Sequence, residues 1–241
     1  MPEWFEQFDD RLWLKEDTGA EEDARLVRRM LHLRRGRKVL DAPCGAGRIA
    51  VHLARAGLNV TGVDRNPRFL RRARDRFRRE GLAGEFHELD LRQLAFDGRF
   101  DAVVNWFGSF GYFSDEENLD LLCRFARALR PGGRLLVEHV NRGRVLRHFL
   151  TRIVGPRGPG RLTVRNRWDP ASERVEGRWL LEVRGRRLRY RSSLRFFTPR
   201  QLGELFERAG LRVEAMYDSV DASPFTRRSR RLAVVGVKAS N

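Results

Sequence analysis

The residues with the most chemistry to offer are Asp41, Gly45, Gly47 and Asp64. Asp41 closes the apolar run Val39-Leu40, and Asp64 closes a second run from Val60 to Val63. Between the two acids lie a tight loop with two glycines and a helical pattern, Ile49, Val51, Leu53 and Ala54, ended by Gly57. Read as elements, this is strand, glycine loop, helix, strand, acid. That order builds a nucleotide-shaped crevice at the carboxyl ends of two parallel strands. Glycines let the backbone approach a ligand closely, and the helix N-terminus offers free N–H groups. Asp64 is placed to accept hydrogen bonds from a ribose diol.

Two kinds of ligand use such a crevice. Gly45, Gly47 and Ala50 formally satisfy the dinucleotide pattern G-x-G-x-x-G/A, in which the helix N-terminus receives a pyrophosphate. Asp41, four residues before the first glycine, would repel a pyrophosphate but favour an ammonium group. That suits S-adenosylmethionine (SAM), which has an amino group and a sulfonium and no phosphate.

With these residues the chain resembles the class I SAM-dependent methyltransferases, whose signature is acid-x-Gly-x-Gly-x-Gly after strand one and an acid at the end of strand two. Asp41, Gly45, Gly47 and Asp64 match it, while Pro43 stands where the first glycine is usual. Downstream, HELDL (His87 to Leu91) looks like strand three with an adenine-contacting Asp90, FDAVVNW (Phe100 to Trp106) like strand four, and LRPGGRLLV (Leu129 to Val137) like the turn into strand five. The resemblance implies an α/β fold: a seven-stranded, mostly parallel sheet with helices on both faces. It implies SAM as cofactor, held by Asp41, Ala42, Pro43, Gly45, Gly47, Asp64, Arg65, Asp90, Leu91, Asn105 and Trp106. The pattern is closest to small-molecule N- or O-methyltransferases. Other readings are an RNA methyltransferase, a non-catalytic SAM-binding protein and a nicotinamide-dependent oxidoreductase.

A sulfonium already activates its methyl group, so transfer needs alignment of a nucleophile more than covalent help. The ends of strands four and five would supply the walls. Phe107, Ser109 and Phe110 are expected to contact substrate, joined by Tyr190 and Arg195 from a later β segment and Phe225 from the loop DASPF. His139 and Tyr112 are the candidate catalytic side chains, His139 as an acceptor for a hydroxyl or amine proton. The loop NWFGSF lacks the Pro-Pro grip of base amino-methyltransferases, and Cys44 and Cys123 are misplaced for a pyrimidine-C5 nucleophile. No metal is expected.

The elements that must position these groups can be traced along the chain. A helix is expected from Asp17 or Thr18, as N-cap, to about Leu33; with the aromatic segment Trp4 to Leu14 it makes residues 1–36 an N-terminal helical lid. Residues 37–141 form the SAM-binding core. Pro67 to Glu80 reads as a helix with Phe69, Leu70, Ala73 and Phe77 inward, and Asp115 to Leu129 as one with Leu119, Leu122, Cys123, Phe125 and Ala126 inward. Residues 142–198 read as an insert capping the substrate. It has a short helix (Arg142 to Leu150), a turn-rich break (Val154 to Gly160) and an antiparallel meander over Leu162 to Trp168, Arg174 to Val183 and Arg187 to Phe197. Residues 199–241 add a helix and the last two strands.

Composition sets outer bounds. The 241 residues suit one large α/β domain, and no apolar run approaches the ~18 residues of a membrane span. No signal-peptide pattern opens the chain, and two scattered cysteines argue against a disulfide framework, so a cytoplasmic protein is expected. Net charge is +17, and since lysine occurs only at Lys15, Lys38 and Lys238, 46 of the 49 basic residues are arginine. This raises the prior for an anionic partner; few Asn, Gln, Cys and Met also give the composition a thermophile-like cast. The insert's arginines are read as falling on both faces of its strands. A nucleic acid therefore ranks behind a small-molecule partner; the sequence does not set the oligomeric state.

Overall fold

A computed structural model describes residues 18–240. The elements are α1 (Ala20–Met30), β1 (Lys38–Asp41), α2 (Ala50–Arg55), β2 (Asn59–Asp64), α3 (Pro67–Arg79), β3 (Glu85–Glu88), β4 (Phe100–Asn105), α4 (Asp115–Ala128), β5 (Leu129–Val140) and α5 (Arg142–Arg147). There follow β6 (Arg152–Arg157), β7 (Gly160–Asp169), β8 (Arg174–Val183), β9 (Arg186–Arg195), α6 (Pro199–Arg208), β10 (Leu211–Tyr217) and β11 (Arg231–Lys238). Seven strands form the main sheet in the order β10-β11-β5-β4-β1-β2-β3. β1 to β5 run parallel, and β11 lies antiparallel between β5 and β10. Strand order reverses between β1 and β4, so a crevice opens above their carboxyl ends, where Asp41 and Asn105 stand.

The central strands are apolar because both faces are covered. Helices α4 and α6 contribute Leu121, Leu122, Phe125, Leu202 and Phe206 to the core on one side. α1 and α2 contribute Val27, Met30, Val51 and Leu53 on the other. α3 starts at Pro67 behind Asn66, whose side chain accepts the Arg68 and Phe69 N–H groups, and buries the expected stripe. α4 is opened by a capping box between Ser114 and Glu117, and α6 by one between Thr198 and Gln201.

Several local expectations are corrected. α1 begins at Ala20 behind Gly19, which is left-handed at φ 79°, so Thr18 does not cap it, and the other expected cap, Asp17, lies outside the described residues. Its residues Ala24, Val27 and Met30 pack into the core, while residues 1–17 of the expected lid, with Trp4 to Leu14, lie outside the described residues. Cys123 faces solvent, and Leu121 takes the inward place beside Leu122. The expected break at Val154 to Gly160 is overlapped by β6, an edge strand that starts at Arg152, where Pro156 sacrifices no interior hydrogen bond. The short helix stops at Arg147.

The insert is a four-stranded antiparallel sheet, β6-β7-β8-β9. Its register corrects the expectation that its arginines are spread over both faces: all but Arg157 and Arg186 of the arginines on its strands share one face. Partners directly opposite share a face, and faces alternate along each strand. Arg161, Arg165 and Arg167 therefore share one side with Arg174 and Arg178, and with Arg187, Arg189, Arg191 and Arg195. Leu162, Val164, Trp179, Leu181, Leu188 and Tyr190 are on the other. Read strand by strand the parity was ambiguous, because nothing in one strand fixes which face of the next it meets; the turn lengths decide it.

Candidate active site

Asp41 ends β1 at the bottom of the crevice, almost wholly buried. Its Oδ2 has no hydrogen-bond partner among the described residues. Burial pushes its carboxyl well above the usual carboxylate range, the Asp64 charge pushes the same way, and Arg48 pulls against both. A buried carboxyl oxygen without a donor is a place for a cation. The chain then turns through a cis Ala42–Pro43 peptide into the glycine loop. Gly45 and Gly47 have φ of 53° and 72°, a region that only glycine enters cheaply. They differ in what surrounds them. A Cβ on Gly45 would meet nothing within 4 Å, whereas one on Gly47 would lie 3.0 Å from the Ala73 Cβ. The first glycine keeps the floor of the crevice open, and the second lets α3 pack under the loop.

Asp64, at the end of β2, holds this loop. Its Oδ2 accepts the Gly45 N–H at 2.9 Å and its Oδ1 the Asn66 N–H at 2.8 Å. Burial raises its pKa, and those two donors and Arg65 oppose the rise. Each oxygen retains a second lone pair, so the carboxylate is oriented for a diol without being used up. Asp90 caps the turn Leu91–Gln93 by accepting the Arg92 N–H, and it pairs with the Arg92 guanidinium at 2.9 Å. Burial pushes its pKa up, but Arg92 outweighs it and the net shift is downward. At the end of β4, Asn105 donates to the Ala42 carbonyl at 2.8 Å, and its buried Oδ1 has no partner among the described residues. Trp106 is buried beside it.

The structure thus gathers Asp41, Ala42, Pro43, Gly45, Gly47, Asp64, Arg65, Asp90, Leu91, Asn105 and Trp106 along the top of β1, β2, β3 and β4. The orphaned Asp41 oxygen, the open Gly45 floor and the oriented Asp64 fit a ligand with an ammonium at one end and a diol further along. They do not fit a pyrophosphate. Residues 39–133 match the family model described as a methyltransferase domain.

Those residues carry a methyltransferase domain, in a chain with the class I SAM-dependent methyltransferase fold. A cypemycin N-terminal methyltransferase from a Streptomyces species is 29% identical over 206 residues, which cover 83% of this chain and 82% of the relative. A ribosomal protein L11 methyltransferase from Thermus thermophilus is 32% identical over 173 residues, covering 70% of this chain and 61% of the relative. Among solved structures, a SAM-dependent methyltransferase from Clostridium acetobutylicum superposes with a TM-score of 0.79 at 15% identity, over 94% of this chain and 93% of that one. At that identity the likeness establishes the fold.

The second wall of the methyltransferase crevice is the loop after β4. Phe107 has a positive φ of 63° and is partly exposed, with the Arg48 guanidinium 3.9 Å from its ring centre. Ser109 donates to the Trp106 carbonyl at 2.9 Å. Tyr112 is half-buried in this loop, its hydroxyl pKa pushed up to about 12 by burial. Phe225 is half-buried against the same core.

Four expected site residues have other work. Phe110 is fully buried against Phe197, with ring centres 5.5 Å apart. Tyr190 lies on the insert's apolar face beside Leu181 and Val183. Arg195 is buried, pairing with Asp115 at 3.1 Å and Glu173 at 2.6 Å. His139 is fully buried, and its Nε2 accepts the Phe197 N–H at 3.1 Å. Burial and the nearby Arg195 charge depress its pKa to about 3. It stays neutral, with its lone pair already engaged, and serves as a joint between β5 and the start of α6.

Two positioning residues, Arg174 and Arg231, escaped the sequence reading. Arg174, at the start of β8, donates to the carbonyls of Phe113 (3.0 Å) and Tyr112 (3.1 Å). With the Arg195 N–H to the Gly111 carbonyl at 2.9 Å, it ties the insert to the loop after β4. A Cβ on Gly111 would come within 2.5 Å of the Arg195 carbonyl oxygen, so only glycine permits this crossing. Buried Glu138 forms an ion pair with Arg231 and also accepts the Gly108 N–H (2.8 Å) and the Ser219 hydroxyl (3.1 Å). No pattern in the sequence marks Arg174 or Arg231 among so many arginines.

No group of three or more His, Cys, Asp or Glu able to hold a metal occurs among the described residues. No helix among them is long and apolar enough to cross a membrane.

Proposed function

We propose that the enzyme methylates an amine nitrogen of a small molecule. The observation that carries this reading is the state of its two candidate bases. His139 is neutral, buried and engaged by the Phe197 N–H, and the Tyr112 hydroxyl is raised to about 12. A hydroxyl acceptor has to lose a proton as it attacks, and neither group is disposed to take it. A neutral amine already presents a lone pair and needs only alignment and exclusion of water. Bound SAM supplies the activated methyl group. Asp41 would hold its ammonium, Asp64 its ribose hydroxyls and Asp90 its adenine edge. Phe107 and Ser109 would line the acceptor side, with Arg174 and Glu138 holding their loop in place. The Streptomyces relative, a cypemycin N-terminal methyltransferase by name, supports the same choice.

The test is a SAM-consumption screen of amines, phenols and catechols with product mass analysis. Amine products are expected, with a rate at saturating SAM that follows deprotonation of each acceptor and is unchanged in pH profile by His139→Gln. Turnover confined to phenols, with an acid limb near pH 6.5 abolished by His139→Gln, would defeat the reading.

A further inference from the structure

The outer half of the insert sheet carries a feature that methyl transfer does not use. Arg152, Arg165, Arg178 and Arg191 stand directly opposite one another, one on each of its four strands. All four are exposed. Among the described residues none has a carboxylate partner. Like charges placed opposite each other across strands destabilise a sheet, so this ladder is a liability in the isolated protein. The next row, Val154-Thr163-Leu180-Arg189, adds a fifth arginine, and Arg161 stands in the row beyond. The neighbouring acids are occupied: Glu176 accepts the Ser193 hydroxyl and Glu182 pairs with Arg187. Arg152, Arg161, Arg165, Arg178, Arg189 and Arg191 line a groove of about 640 Å³.

We infer that this face is a docking surface for the phosphate backbone of duplex RNA. Guanidinium groups match phosphate oxygens in geometry and charge, and phosphates would relieve the repulsion that the register imposes. Arginines repeat about every 7 Å along a strand and about 5 Å between strands, a two-dimensional field rather than a line. Such a field meets two phosphate rows at once. A-form RNA supplies them on either side of its narrow major groove; the ~12 Å major groove of B-DNA sets them further apart. The groove is concave, which suits a rigid cylinder and not a flat bilayer. Of the aromatics that could stack unpaired bases, Trp168 is on the opposite face, while Trp179 and Tyr190, which alternate to that face in register, only border the groove beside its exposed arginines. The contact would therefore be to backbone, without sequence preference. At its inner end the same face carries Arg174 and Arg195, which grip the loop beside the methyl-transfer crevice. The docked RNA would thus lie beside the active site.

The probe is a fluorescent RNA hairpin of arbitrary stem sequence, titrated by anisotropy across a salt series. Six unpaired arginines predict a log–log salt slope of about −5, or a loss of about a thousandfold between 0.05 and 0.2 M salt. Arg165→Ser, Arg178→Ser and Arg191→Ser together should cut the slope to about −3, while leaving SAM binding intact. Their thermal midpoint at low salt should be equal to or above wild type, since a charge conflict is removed. Arg71→Ser, Arg72→Ser and Arg79→Ser on α3 remove the same charge elsewhere and should leave the slope unchanged. The milder Arg178→Ser stands in if the ladder triple fails to bind SAM. Equal weakening by both triples would mean diffuse charge and overturn the inference. So would no binding at 0.05 M salt, or tighter ladder-dependent binding to a DNA duplex, polyglutamate or phosphatidylserine vesicles.

Discussion

Asp41→Asn should move stability and ligand affinity in opposite directions. The substitution keeps the shape of the side chain and removes its charge. In the free protein Asp41 is 1% exposed, with Oδ2 unpartnered and Asp64 close by. An unsatisfied buried polar group costs about 1–3 kcal/mol, and more when charged. The asparagine form of the ligand-free protein should therefore be more stable by about 1–2 kcal/mol at neutral pH. The sign with pH follows from linkage. A carboxyl whose folded pKa is raised binds its proton more tightly when folded, so its contribution is fully present below the unfolded pKa and is lost as pH rises through the folded one. The stability advantage of the variant should thus widen as pH rises. Binding should change the other way. A charge-assisted hydrogen bond to an ammonium contributes about 1.5–3 kcal/mol, so SAM affinity should fall about 10- to 150-fold. Urea denaturation between pH 4 and 8, paired with calorimetric SAM titration, reads both quantities. A less stable variant that binds SAM as tightly as wild type would refute the assignment of Asp41 as the ammonium site.

Gly47→Ala should destabilise the fold by about 2–4 kcal/mol, measured by urea denaturation, because it combines a left-handed φ of 72° with a Cβ 3.0 Å from that of Ala73. His139→Gln should flatten the acid side of the stability profile. With a folded pKa of about 3 against 6.5, His139 contributes stability that is complete above about pH 6.5 and lost as pH falls toward 3; an unchanged slope in denaturation curves across that window would exclude it as the source.

The crevice was legible in the sequence because its signals are local. Asp41, Gly45, Gly47 and Asp64 sit in one contiguous strand-loop-helix-strand unit, where backbone conformation, glycine placement and chain direction are all set within a few residues. The apolar strands and the helix stripes of α3 were readable for the same reason. The capped start of α1 was not: a left-handed Gly19 replaced the expected polar cap, because packing of Ala24, Val27 and Met30 fixes where that helix sits. The roles of His139 and Arg195 were out of reach. Each is set by what meets it from across the chain: the Phe197 N–H for His139, and Asp115 and Glu173 for Arg195. The same limit hid the arginine ladder. Alternation along each strand is written in the sequence, but which residues stand side by side depends on the register of three hairpins, and a one-residue slip would reverse every face. The sequence alone therefore determined the ligand crevice and the class of fold. Only the tertiary structure decided which buried groups can move a proton and where the positive charge gathers, since both depend on long-range neighbours that no local pattern records.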